Sequence, residues 1–278
     1  MIRGWAAAFL CAAVCVAPAV GGTPQAGRHG ALDEVLDTYV RDGMVYYRAL
    51  RSDRSRLDRY IGSFDVRPAE VASWSRGEQI AFWVNAYNAL VLRTVINAYP
   101  IQGKSPDYPQ GSVRQVPGAF DVVRHPVAGQ LLSLDEIETK VLAGFEDARV
   151  FLLLGRGALG SPRLRSEAIT AARLEAQLAG AVEECARRAA CVDLDEARGT
   201  VVVTPLLGWR QDAFIATFAP KAGEKWPARS PIERAVAAMV YPHLFDAEQQ
   251  FLDRNGFAMT FGEFDWRLND LTGRDLAP

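Results

Sequence analysis

One segment constrains this chain more than any other. Ser75-Arg76-Gly77-Glu78 opens a helix that runs from Glu78 to about Tyr99, and Pro100 closes it. Ser75 and Glu78 form a capping box, in which each side chain satisfies the other's free backbone donor. Proline lacks an N–H and keeps the residue before it out of helical geometry, so the helix stops there. Between these signals the residues are apolar nearly all round. A helix of that kind has to be enclosed by the rest of the protein.

The remaining elements are read around it. Helices are expected near Leu32–Val40 and Ser55–Phe64, with a short β-like stretch over Met44–Tyr47. Residues 103–119 are rich in proline and glycine and read as a long irregular loop. Phe120–Val127 has β character, and Gln130–Leu132 suits a return strand. Ser133-Leu134-Asp135-Glu136 is a second capping box, opening a helix through Ala143. Arg149–Leu154 is a short apolar run and reads as a central strand. A glycine-rich loop follows over Gly155–Arg165, then a helix over Ile169–Arg188. Thr200–Thr204 reads as a strand and Trp209–Phe218 as a helix. Ser230-Pro231-Ile232-Glu233 is a third box, with proline at the first helical position. Helices outweigh strands and alternate with them irregularly. The expected fold is α+β: one domain over residues 31–275, its helices packed around a small mixed sheet.

The N-terminus is a different kind of segment. One positive charge, Arg3, precedes an apolar run from Trp5 to Val20, and Ala17-Pro18-Ala19 places small residues two apart. That layout predicts a secretory signal over 1–19 and a disordered leader over 20–30. The run falls short of the roughly 18–20 residues that span a bilayer. Lipidation at Cys15 is the alternative, with Val14 standing where a small residue is wanted. No later stretch is long enough to span a membrane. The expected location is periplasmic or secreted. With 33 acidic and 31 basic residues and no basic run, the chain lacks the footprint of a nucleic-acid binder.

Export changes the reading of the cysteines. Cys11 and Cys15 fall within the signal, leaving Cys185 and Cys191, which read as a disulfide closing a small loop. Two buried thiols or half of a metal site are the alternatives. The histidines, His29, His125 and His243, are far from the pair in sequence, so no metal is assigned, and no cofactor motif is present. Partners are not legible.

Four polar groups need an explanation. Asn85 and Asn88 share one face of the apolar helix, with Trp83 and Tyr87 on a neighbouring face. Unpartnered buried amides cost about 1–3 kcal/mol each, so both must have partners. Hydrogen bonds to a loop or strand are the plain explanation, and a pocket lining is the other. Asp135 and Glu138 share a face in the first turn of their helix. Dipole compensation explains them simply, and an acid/base pair is the sharper alternative. In the glycine-rich loop, Arg156 and Arg163 could hold an anion. Ser161 lacks the glycine flanks of a nucleophile elbow. Arg149 completes the candidate pocket. Near the C-terminus, Asp265, Trp266 and Asn269 read as a structural tether.

Phe82-Trp83-Val84-Asn85-Ala86-Tyr87-Asn88-Ala89-Leu90, Ser133 to Glu138, Arg149-Val150, Ser161-Pro162-Arg163-Leu164 and Asp265 to Asn269 together resemble the domain-of-unknown-function 547 family, over about Ala31 to Asp270. The resemblance implies an exported protein of unassigned activity. It also implies a His, an Asn-Cys-Gly and a Ser-Cys-Pro after Arg149-Val150. This chain has Phe151, Gly155-Arg156-Gly157 and Gly160-Ser161-Pro162 instead. Thiol or Cys/His chemistry is therefore not expected of it. The function expected is non-catalytic binding or scaffolding in the cell envelope. The alternative is a hydrolase or transferase acting on an envelope peptide or glycan through a polar cleft.

Overall fold

The structure, a computed structural model, describes residue 1 and residues 27–272. The segment expected to be an export signal, residues 1–19 with Cys11 and Cys15, lies outside the described residues apart from Met1. Along the chain come α1 (Gly30–Tyr39), β1 (Val40–Arg41), β2 (Met44–Val45), α2 (Tyr47–Ser52), α3 (Ser55–Gly62), α4 (Pro68–Ser73) and α5 (Arg76–Ala98). Then follow β3 (His125–Val127), β4 (Gln130–Leu132), α6 (Leu134–Glu136), α7 (Leu174–Arg187), β5 (Val192–Asp195) and β6 (Thr200–Val203). The last elements are α8 (Pro205–Trp209), α9 (Gln211–Phe218), α10 (Pro231–Val240), α11 (Asp246–Asp253) and β7 (Ala258–Phe261).

α5 is the axis of the molecule. Ser75 and Glu78 make the capping box, and every residue from Ile80 to Leu92 is buried. The box at Ser133 starts α6 and the box at Ser230 starts α10. α2, α3 and α6 pack against α5, and α7 and α9 pack against α10. Between these two groups lies Ala148–Leu153. A central strand was expected over Arg149–Leu154, and the segment is a 3-10 helix. Val150, Phe151, Leu152 and Leu153 are all buried, so its apolar residues contact protein in every direction. A strand there would also need a neighbouring strand to pair its backbone, and among the described residues the segment belongs to none of the paired sheets. This segment touches α5, α7 and α9, and so joins the two groups into one core.

The fold class is α+β as expected, with the β structure split among small sheets. β1 pairs with β2 and β3 with β4, both antiparallel. β5 and β6 are antiparallel, and β7 lies parallel to β6, with Thr200 opposite Ala258. This last sheet is the mixed one. Cys185, at the end of α7, is disulfide-bonded to Cys191, just before β5. Among the described residues no helix is long and apolar enough to cross a membrane.

Two boundaries differ from expectation. α1 begins at Gly30, inside the stretch read as leader. Arg28 lies over the Trp74 ring and His29 bonds the Tyr60 hydroxyl, so packing holds these residues against the body. The β-like stretch at Met44–Tyr47 yields a two-residue strand, because Tyr47 turns inward and starts α2.

Beyond β7 the chain runs as a strap across the surface. Leu159 and Gly160 donate to the carbonyls of Arg267 and Asp265, and Val45 donates to that of Asn269. The Asn269 side chain accepts from the Tyr47 hydroxyl at 2.7 Å and donates to the Gly43 carbonyl at 2.7 Å. Gly160 is required here. A side chain built on it would begin 2.7 Å from the Asp265 nitrogen.

Candidate functional site

The two asparagines of α5 close on backbone groups of neighbouring segments. Asn85 accepts from the Ile169 amide at 3.0 Å and donates to the Ile169 carbonyl at 2.8 Å. Asn88 accepts from the Gly155 amide at 2.9 Å and donates to the Leu153 carbonyl at 3.0 Å. Each amide stands in for a missing strand neighbour and clamps an irregular segment to the helix. Trp83 is buried edge-on to Phe82. Arg149 also stands apart from the α5 residues, because Asp147 and Glu175 hold it.

Tyr87, Glu138, Arg156 and Ser161 do come together. Glu138 sits on the turn after α6, where Ile137–Leu142 winds as a π-helix. Such turns are rare and frequently found at functional sites. Glu138 and Arg156 are each only 3% exposed. One Glu138 oxygen accepts from Arg156 at 2.6 Å and from Arg210 at 3.0 and 2.9 Å. The other accepts from the Tyr87 hydroxyl at 3.3 Å. Burial pushes the Glu138 carboxyl up, but Arg156 and Arg210 outweigh it and hold the carboxyl below its ordinary range. Burial likewise opposes charge on Arg156, and Glu138 keeps it protonated. Ser161 Oγ accepts from the Arg156 amide at 3.1 Å. The positions where the family resemblance implies two cysteines are therefore in contact, and here they carry an arginine and a serine. Arg210 reaches over the ring of Phe151, the residue in place of the implied histidine.

Asp135, one turn before Glu138, behaves in the opposite way. Burial raises its carboxyl, and attraction to Arg114 and Arg210 does not fully compensate. Its amide donates to the Phe120 carbonyl at 2.8 Å. Arg114 lies face-on to Trp266 at 4.4 Å and to Phe120 at 4.6 Å. Trp266 stacks near-parallel on Trp209 at 6.1 Å, and Phe264 contacts both rings. The charged cluster thus rises from a buried carboxylate to an aromatic surface. Arg114, Trp209 and Arg210 were not singled out from sequence. The one available signal was an arginine flanked by glycines and prolines in a long loop.

On the other side of Ser161 is a cavity of about 410 Å³, lined by the glycine-rich loop, the Asp42–Met44 turn and the strap. Arg188 crosses its wall and donates to the carbonyls of Ser161 and Leu159 at 3.0 and 2.9 Å. Arg163 pairs with Asp42 and Arg267 with Asp265. Phe264 lines this cavity as well as the aromatic surface. Among the described residues no group of His, Cys, Asp and Glu could hold a metal ion. His29 and His125 are lowered to about 4, mainly by burial and then by Arg28 and Arg93 respectively, so both are neutral at pH 7.

Comparison with known proteins agrees with the sequence resemblance over part of its expected extent. The model of the family described as "Protein of unknown function, DUF547" matches residues 71–184. That stretch runs from the end of α4 almost to the end of α7. It includes Trp83 to Asn88, Asp135, Glu138, Arg156 and Ser161, and ends before Arg210 and the strap. Searches of curated proteins and of solved structures returned no match.

Proposed function

We propose that this chain is an exported, non-catalytic binding protein whose binding face is organised from beneath by Glu138. The observation that carries the proposal is the occupancy of Glu138. Two arginines and a tyrosine hydroxyl take up its oxygens, and the arginines hold it ionised. General acid or base catalysis needs a group whose pKa lies near the working pH and which can reach the reacting proton. A carboxylate bonded in this way does neither. Ser161 is equally unsuited to attack. Its hydroxyl accepts from a backbone amide, and among the described residues no histidine hydrogen-bonds it.

Export rests on the charged and apolar layout of the first residues and on the Cys185–Cys191 disulfide, a bond that persists in oxidising compartments. N-terminal mass analysis of the protein recovered from expressing cells should place the mature end near Val20. An intact Met1, with both thiols open to alkylation before reduction, would count against export.

One observation favours a second reading, a hydrolase or transferase acting on an envelope peptide or glycan. Asp135, with its raised carboxyl, stands one turn from the ionised Glu138, and acid/base pairs are built from such unlike environments. The two readings separate on turnover. Wild type, Asp135→Asn and Ser161→Ala should give the same background with ester, peptide and glycoside substrates. Turnover by wild type that disappears in Asp135→Asn would establish the second reading.

A further inference from the structure

The aromatic surface above Glu138 is built in a way that its structural role does not account for. Trp209 is 43% exposed although it stacks on Trp266. Phe264 lies 5.0 Å from Trp209 and 4.4 Å from Trp266, so the three rings form one ledge. Aromatic faces left in water at the mouth of a charged cluster lose the favourable burial that such rings ordinarily gain.

Arg114 supplies a second, independent observation. Its guanidinium is packed against Trp266, Phe120 and Tyr108. Among the described residues that guanidinium makes no hydrogen bond and no ion pair, and its Nε is buried without a partner. Buried polar atoms are normally satisfied, and arginine carries five donors in a planar fork. The aromatic packing holds the fork in one orientation beside the ledge. A planar anion is the group that such a fork recognises bidentately. Asp135, within the electrostatic reach of Arg114 and Arg210, adds an acceptor for hydroxyl groups.

We infer that Trp209, Phe264, Trp266, Arg114, Arg210 and Asp135 form a binding site for a carboxylated saccharide. The apolar faces of sugar rings would lie on the ledge, and a sugar carboxylate would take the fork of Arg114. Asp135 would accept from the sugar hydroxyls and Arg210 would donate to the ring substituents. A neutral apolar ligand would leave Arg114 unpaired. A small inorganic anion would leave the ledge uncovered. This inference rests on the proposed binding role and assigns that role its ligand class.

Isothermal titration of the full mature chain with tetragalacturonate tests it, alongside the fully methyl-esterified tetrasaccharide and a tetra-aspartate peptide. Tetragalacturonate should bind, and masking its carboxylates should weaken binding about tenfold or more, as expected for loss of a charge-assisted pair. Trp209→Ala should weaken it by a similar factor and lower the thermal midpoint only modestly, because that ring is already partly in water. Arg114→Gln should remove the preference for acid over ester, and Trp209→Ala remains informative if Arg114→Gln folds poorly. Equal binding of the ester, tighter binding of the peptide, or no binding of tetragalacturonate each overturns the inference. In the last case, unchanged absence of turnover leaves the broader binding proposal standing. Cleavage of tetragalacturonate that Asp135→Asn abolishes would support the saccharide site and overturn the non-catalytic reading.

Discussion

The two asparagines of α5 and the Glu138 cluster are both buried polar groups on apolar elements, and they close their hydrogen bonds in different ways. Asn85 and Asn88 close on backbone groups of Ile169, Leu153 and Gly155, so that each amide nitrogen and each amide oxygen has a partner. Glu138 closes on the side chains of Tyr87, Arg156 and Arg210, drawn from α5, the glycine-rich loop and the turn between α8 and α9. Arg210 then continues toward the surface, where Asp135 stands with Arg114, whose buried Nε has no hydrogen-bond partner among the described residues. A buried polar group that ends on backbone shapes the chain. One that ends on further side chains links the buried charge to the surface, where the proposed ligand would bind.

The largest effect should come from breaking the ionic side of this contrast. Glu138→Ala leaves Arg156 buried without a counter-charge, and chemical denaturation should show a loss of about 3–5 kcal/mol. Replacing Glu138 and Arg156 together by leucines should recover part of that loss, because the pair's attraction mainly offsets its own desolvation while the buried Tyr87 hydroxyl is left without an acceptor. A double variant as unstable as the single one would mean the cluster contributes stability of its own.

The neutral side comes next. Asn88→Ala strands one buried amide and one buried carbonyl, and should cost about 2–3 kcal/mol by the same measurement. No pairing of a second substitution with it should restore stability, since backbone groups cannot be removed.

Acid should separate the two further. Glu138 has a lowered folded pKa, so its stabilisation is present above its unfolded value of 4.5 and is lost as pH falls through the folded value. His29 and His125 act earlier. Both are lowered from 6.5 to about 4, so their contribution is complete above 6.5 and declines from there toward 4. Stability should be level above pH 6.5, fall between 6.5 and 4, and fall again below it. Asn88→Ala should shift this whole curve downward in parallel, whereas Glu138→Gln should flatten its lowest limb.

The smallest effect is expected at Asp135. Its raised carboxyl means that the charged form is disfavoured by folding, so the charge opposes stability at pH 7. Asp135→Asn should change stability by no more than about 0.5 kcal/mol, toward a gain. A clear loss would show that Asp135 holds the fold together instead of facing a ligand.

Much of the architecture was legible because its signals are local. The capping boxes at Ser75, Ser133 and Ser230 all form, and α5 is enclosed as its composition requires. The Cys185–Cys191 bond joins residues close in sequence. Ala148–Leu153 was misread because a short apolar run has no period to distinguish strand from helix. β7 was missed because its parallel partner β6 lies far back along the chain and most of its side chains are exposed. The site was half legible for the same reason. Glu138 draws notice by sharing a helix face with Asp135, and Arg156 by standing in a glycine-rich loop. Arg114 and Arg210 are ordinary surface arginines until tertiary packing brings one under Trp266 and the other onto Glu138.

The claim that Glu138 is an ionised anchor and not a proton carrier can be read from the group itself. Carboxyl-detected NMR titration of the mature chain, assigned with Glu138→Gln, measures its protonation directly. The resonance should keep its ionised shift as pH falls past 4.5, while that of Asp135 titrates above the usual aspartate range. A Glu138 carboxyl that takes up its proton at or above 4.5 would contradict the account and return this residue to the candidates for acid/base catalysis.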